Sequence, residues 1–150
     1  MTPDQPLVID TNTVLDLFVF EDPASAPLLA ALGSGGVRWL ATAHMREELL
    51  RVLAYPHLVM CMTTRGVAAA DVLAAFDRHC IPVEAAERCG VRCRDTDDQP
   101  FVDLAIAHGA RLISKDKLVL ATAKRVASHG ASVLHPKAFA SDATCVKLVP

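Results

Sequence analysis

The alternation of short apolar segments with longer amphipathic segments constrains the fold of this chain more than any other feature. Short apolar runs at residues 7–9, 37–41, 110–114 and 131–134 predict strands. Helical patterns lie between these runs. Strands that alternate with helices form a parallel sheet with helices on both faces. The sequence therefore predicts an α/β fold of this kind.

The chain has the length of one domain. Its 150 residues are 52% hydrophobic and only 5% aromatic, which suits a sizeable aliphatic core. We expect a single domain over residues 1–140 and a C-terminal tail over residues 141–150. Further predicted elements are a helix over 43–54 that ends at Pro56, helices over 64–79 and 117–128, and a long loop over 84–97.

The lack of a recognisable targeting signal and the cysteine content favour a cytoplasmic location for this protein. The opening residues Met1-Thr2-Pro3-Asp4 lack the basic and apolar regions of a signal peptide, and no apolar run reaches the roughly 18 residues of a membrane span. Five cysteines without an export signal favour reduced thiols. Cys89 and Cys93 have a spacing that zinc could use, but no second ligand pair follows at finger or ribbon spacing. We expect a cytoplasmic protein with no membrane segment.

Two acids follow predicted strands at the same edge of the sheet. Asp10 comes directly after the strand 7–9, and Asp116 comes two residues after the strand 110–114. In open α/β sheets, ligands bind at the carboxyl ends of the strands. A functional pair is therefore one interpretation. The alternative is that each carboxylate only caps the helix that follows it.

Two further acids are predicted to reach the same edge. Glu48 lies on the flank of the apolar face of the helix 43–54, whereas Glu47 points to nearly the opposite side. Asp98 ends the acidic cluster of residues 95–98, just before a helix that runs to His108. Glu48 could instead be an ordinary surface residue, and Asp98 a helix cap. Asp97 also remains an alternative to Asp98.

Four converging carboxylates point to a metal ion. Carboxylates packed together repel, so such a site needs a cation. Oxygen ligands favour Mg²⁺ or Mn²⁺, which activate water and stabilise the leaving oxygen of a phosphodiester. The net charge of −2 gives no general basic field for a nucleic acid. These residues predict metal-dependent phosphoryl chemistry, on either a nucleic acid or a small phosphate ester.

The sequence resembles the PIN-domain nucleases, in the bacterial branch classed as toxins of toxin–antitoxin systems. The resemblance covers about residues 7–139. The four motifs that carry it are Val8-Ile9-Asp10-Thr11-Asn12, Thr42 with Glu48-Leu49 and Val52-Leu53, Arg94-Asp95-Thr96-Asp97-Asp98 leading to Phe101-Val102-Asp103-Leu104-Ala105, and Leu112-Ile113-Ser114-Lys115-Asp116.

This resemblance implies a fold, an activity and a site. The fold is a three-layer α/β/α sandwich with a central parallel sheet, and the activity is Mg²⁺- or Mn²⁺-dependent endonucleolytic hydrolysis of single-stranded RNA. Such toxins are often homodimers held by an antitoxin protein. The matching positions are Asp10, Glu48, Asp98 and Asp116 as catalytic metal ligands, and Asn12 and Ser114 as supporting polar residues. Lys115 stands where the family often has glycine, and Lys115 and Lys117 are candidates for contact with the RNA backbone.

Three alternatives are also compatible with the sequence. A haloacid-dehalogenase-like phosphatase also begins with an apolar strand that ends in Asp, but it needs a second acid two positions later, where this chain has Asn12. A non-catalytic module of the same fold could bind RNA or protein, particularly if Lys115 blocks the metal. If the acids are only helix caps, Asp10→Asn and Asp116→Asn should each cost about 1 kcal/mol of stability or less.

Overall fold

Five parallel strands form one sheet in the computed structural model, which describes residues 5–139. The strands are β1 (Leu7–Ile9), β2 (Trp39–Ala41), β3 (Cys80–Pro82), β4 (Arg111–Ile113) and β5 (Ser132–Leu134). Their spatial order is β3-β2-β1-β4-β5, and every neighbouring pair is parallel. The α/β prediction with a central parallel sheet is confirmed. The predicted tail, residues 141–150, lies outside the described residues.

Helices connect the strands. They are α1 (Thr11–Phe18), α2 (Ala26–Ser34), α3 (Ala43–Leu53), α4 (Pro56–Arg65), α5 (Ala69–His79), α6 (Gln99–His108), α7 (Lys117–Leu120) and α8 (Ala123–Ala127), with a 3-10 turn at Pro23–Ser25. Within residues 5–139, no single helix is long and apolar enough to cross a membrane. The α4–α5 pair meets those criteria only when taken together, and it is bent by 88°.

The predicted helix 64–79 is wrong at its start. A separate helix, α4, occupies Pro56–Arg65, and α5 begins only at Ala69. Proline ends a helix but also suits the first turn of one, where its missing N–H is not needed. Pro56 lies in the first turn of α4 and begins that helix. Gly66, with φ of 70°, adopts the left-handed conformation that ends α4.

The predicted helix 117–128 is divided into α7 and α8. Thr122, which lies between them, is fully buried, and its hydroxyl donates to the carbonyl of Val119 at 2.6 Å. A threonine side chain that bonds to a nearby carbonyl competes with the hydrogen bonds of a continuous helix. The chain therefore turns at Thr122 and starts again.

The core forms around the central strand. Leu7 and Val8 of β1 are completely buried, as expected for a strand covered by helices. Trp39 of β2 packs edge-on against Phe76 of α5, with ring centroids 5.0 Å apart, and it also stacks on Phe18 of α1. These contacts fix α1 and α5 on the sheet.

The sheet register brings the ends of β1 and β4 together. Ile9 pairs with Ile113, and the N–H of Asp10 donates to the carbonyl of Ile113 at 3.2 Å. Asp10 and Ser114, the next residues along each chain segment, therefore lie side by side at the carboxyl edge of the sheet.

Candidate metal centre

Asp10 is fixed between the sheet and the first helix. It is 2% exposed, and its Oδ1 accepts the N–H of Thr13 at 3.0 Å, which caps α1. Its Oδ2 accepts the hydroxyl of Ser114 at 2.5 Å. Burial raises the pKa of Asp10, although both hydrogen bonds oppose that rise. Asp10 is thus a helix cap that also sits at the predicted site.

Ser114 links two of the predicted acids. Its hydroxyl donates to Asp10 and accepts the N–H of Asp116 at 3.0 Å. Oδ1 of Asp116 accepts the N–H of Leu118 at 2.8 Å and so caps α7. Ser114 therefore lies between the carboxylate of Asp10 and the backbone of Asp116.

Asp98 stands at the N-cap position, directly before α6, but its side chain does not cap the helix. Its side chain makes no capping hydrogen bond, in contrast to Asp10 and Asp116. Burial raises its pKa to about 7, and the negative charges of Asp95, Asp10, Asp116 and Glu48 contribute in that order. The carboxyl of Asp98 therefore faces the other acids.

Asp95 joins this group, although it was not predicted individually from the sequence. One carboxylate oxygen each from Asp95, Asp98 and Asp116 lies within 4.8 Å of the others. The N–H of Asp98 donates to the carbonyl of Asp95 at 3.1 Å, so a tight turn brings the two together. The acidic cluster before α6 was the only sequence signal. Asp97, the alternative considered there, is exposed and outside the group.

Glu48 approaches the group from α3. It is partly buried, and its Oε2 accepts the hydroxyl of Thr11 at 3.0 Å. Burial raises the pKa of Glu48, and the nearby charge of Asp97 adds to the rise. The structure therefore brings all four predicted acids to one edge of the sheet, with Asp95 as a fifth. Only Asp95, Asp98 and Asp116 have ligand atoms within 4.8 Å of one another, and Asp10 and Glu48 lie nearby.

The remaining predicted residues have different surroundings. Asn12 is exposed in the first turn of α1, and within residues 5–139 it makes no hydrogen bond to an acid, whereas its neighbour Thr11 does. The ammonium of Lys115 lies 2.7 Å from the buried carboxylate of Asp16 on α1. Lys117 is exposed at the start of α7.

The chemistry of this donor set fits a hard divalent cation. The ligand atoms on offer are carboxylate oxygens, which Mg²⁺ and Mn²⁺ prefer. Burial, and then the negative charges of the neighbouring acids, raise the pKa of Asp98, and a bound cation would offset both effects. Oxygens that already accept one hydrogen bond, as in Asp10, keep a second lone pair for a ligand.

The sequence of this chain matches a known protein family over most of its length. The family model described as the PIN domain matches residues 6–118. A PilT N-terminus domain protein from the hyperthermophilic archaeon Sulfolobus solfataricus P2 is similar in structure, with 16% sequence identity and a TM-score of 0.48 over 91% of this chain and 92% of that chain. No curated protein sequence matches this chain.

Proposed function

Because this chain belongs to the PIN domain family, we propose that it is a metal-dependent endoribonuclease that hydrolyses phosphodiester bonds of single-stranded RNA. PIN domains are generally metal-dependent nucleases. The observation that carries the proposal is the convergence of the Asp95, Asp98 and Asp116 carboxylates within 4.8 Å. It is the only such group of acidic, His or Cys side chains within residues 5–139.

The proposed ligands of Mg²⁺ or Mn²⁺ are the acids at the sheet edge. Asp10, Asp98 and Asp116 would hold the ion together with Asp95, and Glu48 would complete the ligand set or orient water. When bound, the ion supplies Lewis acidity, which lowers the pKa of water and stabilises charge on the leaving oxygen.

The protein's own hydroxyl groups prepare these ligands. Ser114 holds one oxygen of Asp10, and Thr11 holds one oxygen of Glu48. Each carboxylate is therefore oriented before any substrate arrives, which is the usual role of a hydrogen bond to a metal ligand. The half-buried position of Asp98 limits access of bulk water and strengthens the electrostatic interactions there.

The RNA substrate and the biological role are proposed from the resemblance of the sequence motifs. We propose a cytoplasmic toxin of a toxin–antitoxin system, which acts as a homodimer and is held by an antitoxin protein. With a net charge of −2, RNA binding must depend on the metal and on local cations. Lys117 is the better candidate for backbone contact, because Lys115 is already paired with Asp16.

The competing functions predict different surroundings for particular residues. A phosphatase of the haloacid-dehalogenase type needs an acid where the exposed Asn12 stands. The non-catalytic alternative depended on Lys115 blocking the metal site. Its ammonium instead pairs with Asp16, which speaks against such a block. The nuclease proposal accounts best for the five acids.

The test is cleavage of a mixed-sequence single-stranded RNA with Mg²⁺ or Mn²⁺. We expect cleavage that EDTA and Asp98→Asn abolish, and that the neighbouring control Asp97→Asn retains. A parallel assay with single-stranded DNA tests the preference for RNA. Metal binding without cleavage of either strand would favour the binding module, and hydrolysis of a small phosphate ester alone would favour the phosphatase.

A further inference from the structure

We propose that Gln99 and Asp103, both on α6, are positioning residues that hold the loop of residues 83–98 so that Asp95 and Asp98 can bind metal. This inference rests on the proposed metal site. The loop has no helix or strand of its own, yet it carries two of the three converging carboxylates. Since those carboxylates repel one another, other contacts must hold the loop in place.

The amide oxygen and nitrogen of Gln99 both form hydrogen bonds, to this loop and to Asp103. Its side chain is buried, with 6% of the residue exposed. Its Oε1 accepts the N–H of Cys93 at 2.8 Å, and its Nε2 donates to the carbonyl of Val91 at 2.8 Å and to Oδ1 of Asp103 at 2.8 Å. An amide buried and satisfied in this way fixes the backbone that it contacts.

Asp103 extends the same contact one turn further along α6. It is 8% exposed, and its Oδ1 accepts both the N–H of Cys89 at 3.1 Å and the thiol of Cys89 at 3.0 Å, in addition to the amide of Gln99. The Gln99–Asp103 pair therefore ties the loop to α6 at Cys89, Val91 and Cys93.

These attachment points lie close to the metal-binding acids. Cys93 precedes Asp95 by two residues, and Gln99 follows Asp98 directly. The two ends of the turn that carries Asp95 and Asp98 are thus joined by the hydrogen bond from Cys93 to Gln99. If that bond is lost, the turn loses an attachment to α6, so the carboxylates of Asp95 and Asp98 can move away from Asp116, which relieves the repulsion and weakens the site.

The first test is hydrogen exchange of the wild-type protein in EDTA. The amides of Cys89 and Cys93 should exchange slowly, although neither lies in a helix or strand, because Asp103 and Gln99 accept them. In Gln99→Met, which has a side chain of similar length without an amide, the Cys93 amide should exchange about tenfold faster. Fast exchange of both amides in the wild-type protein would overturn the proposal.

The second test is calorimetric titration with Mn²⁺ alone. Gln99→Met should weaken Mn²⁺ binding about 10- to 100-fold, the usual effect of losing a residue that orients metal ligands. Asp103→Leu should do the same, whereas Asp103→Asn keeps an acceptor oxygen and should restore near-normal affinity. Leu28→Val, in the buried part of α2, is the control for a general loss of stability and should bind Mn²⁺ normally.

The outcomes separate this inference from the proposed function. If the wild-type protein binds Mn²⁺ and Gln99→Met binds it with equal affinity, only the positioning role is overturned. Equal losses in Asp103→Asn and Asp103→Leu would show that the charge matters rather than the hydrogen bonds, and would also overturn it. Wild-type protein that binds no Mn²⁺ refutes the metal site, and with it this role.

Discussion

Asp98→Asn should stabilise the metal-free protein at pH 8, although it removes an acid from the proposed site. The folded-state pKa of Asp98 is raised from 3.8 to about 7, mainly by burial and then by its acidic neighbours. A raised pKa means that ionisation of Asp98 opposes folding. That cost is absent below the unfolded-state pKa, grows as the pH rises towards 7, and is constant above it.

The size of the effect follows from the pKa difference. A difference of one in pKa corresponds to about 1.4 kcal/mol, so the full rise gives an upper bound of about 4 kcal/mol. Asp98 is only half buried and lies at the positive end of α6, and both features reduce the cost of its charge. We therefore expect Asp98→Asn to raise the free energy of unfolding by about 2 kcal/mol at pH 8, and by less than about 1 kcal/mol at pH 4.5.

The assay is urea unfolding in EDTA, followed by the fluorescence of Trp39. This is the only tryptophan, and it is 1% exposed. The control is Asp97→Asn, an exposed neighbour that should change stability by no more than about 0.5 kcal/mol. A variant that is less stable than wild type at pH 8 would refute the reasoning, because Asp98 would then stabilise the fold as a charged group.

Three further predictions use the same assays. Ser114→Ala should weaken Mn²⁺ binding about tenfold or more in calorimetry, because Asp10 loses the hydroxyl that orients it. Lys115→Met should lower the free energy of unfolding by about 1–2 kcal/mol in urea, because the buried Asp16 carboxylate loses its partner, whereas the exposed Lys117→Met should not. Gly109→Ala should cost about 1 kcal/mol in the same assay, since φ is +59° there.

The sequence allowed the fold and most of the candidate site to be predicted because both depend on short-range patterns. Apolar strands that alternate with helices imply parallel pairing, and parallel strands end at one edge. Asp10 and Asp116 were placed there for that reason alone. Helical periodicity then separated Glu48 from Glu47, since the apolar face of α3 decides which acid can turn inward. The structure agrees with both placements.

Helix boundaries were less predictable where one residue type has two roles. Proline both ends helices and begins them, so the role of Pro56 depended on whether the following residues could pack. Leu58 and Met62 are buried in α4, and that burial supports a helix which the local pattern did not reveal. Tertiary packing, rather than propensity, determined this element.

Only the tertiary structure could show which contacts complete the site. Asp95 and Asp116 converge although they are 21 positions apart in the sequence, and Lys115 pairs with Asp16, which is 99 positions away. No periodic pattern links residues at such separations. The loop before α6 has no helix or strand, so its course depends on side-chain contacts, among them those of Gln99, Asp103 and the buried Val91. Local sequence determines strands, helices and their polar ends, whereas contacts between distant segments form only after the core has packed.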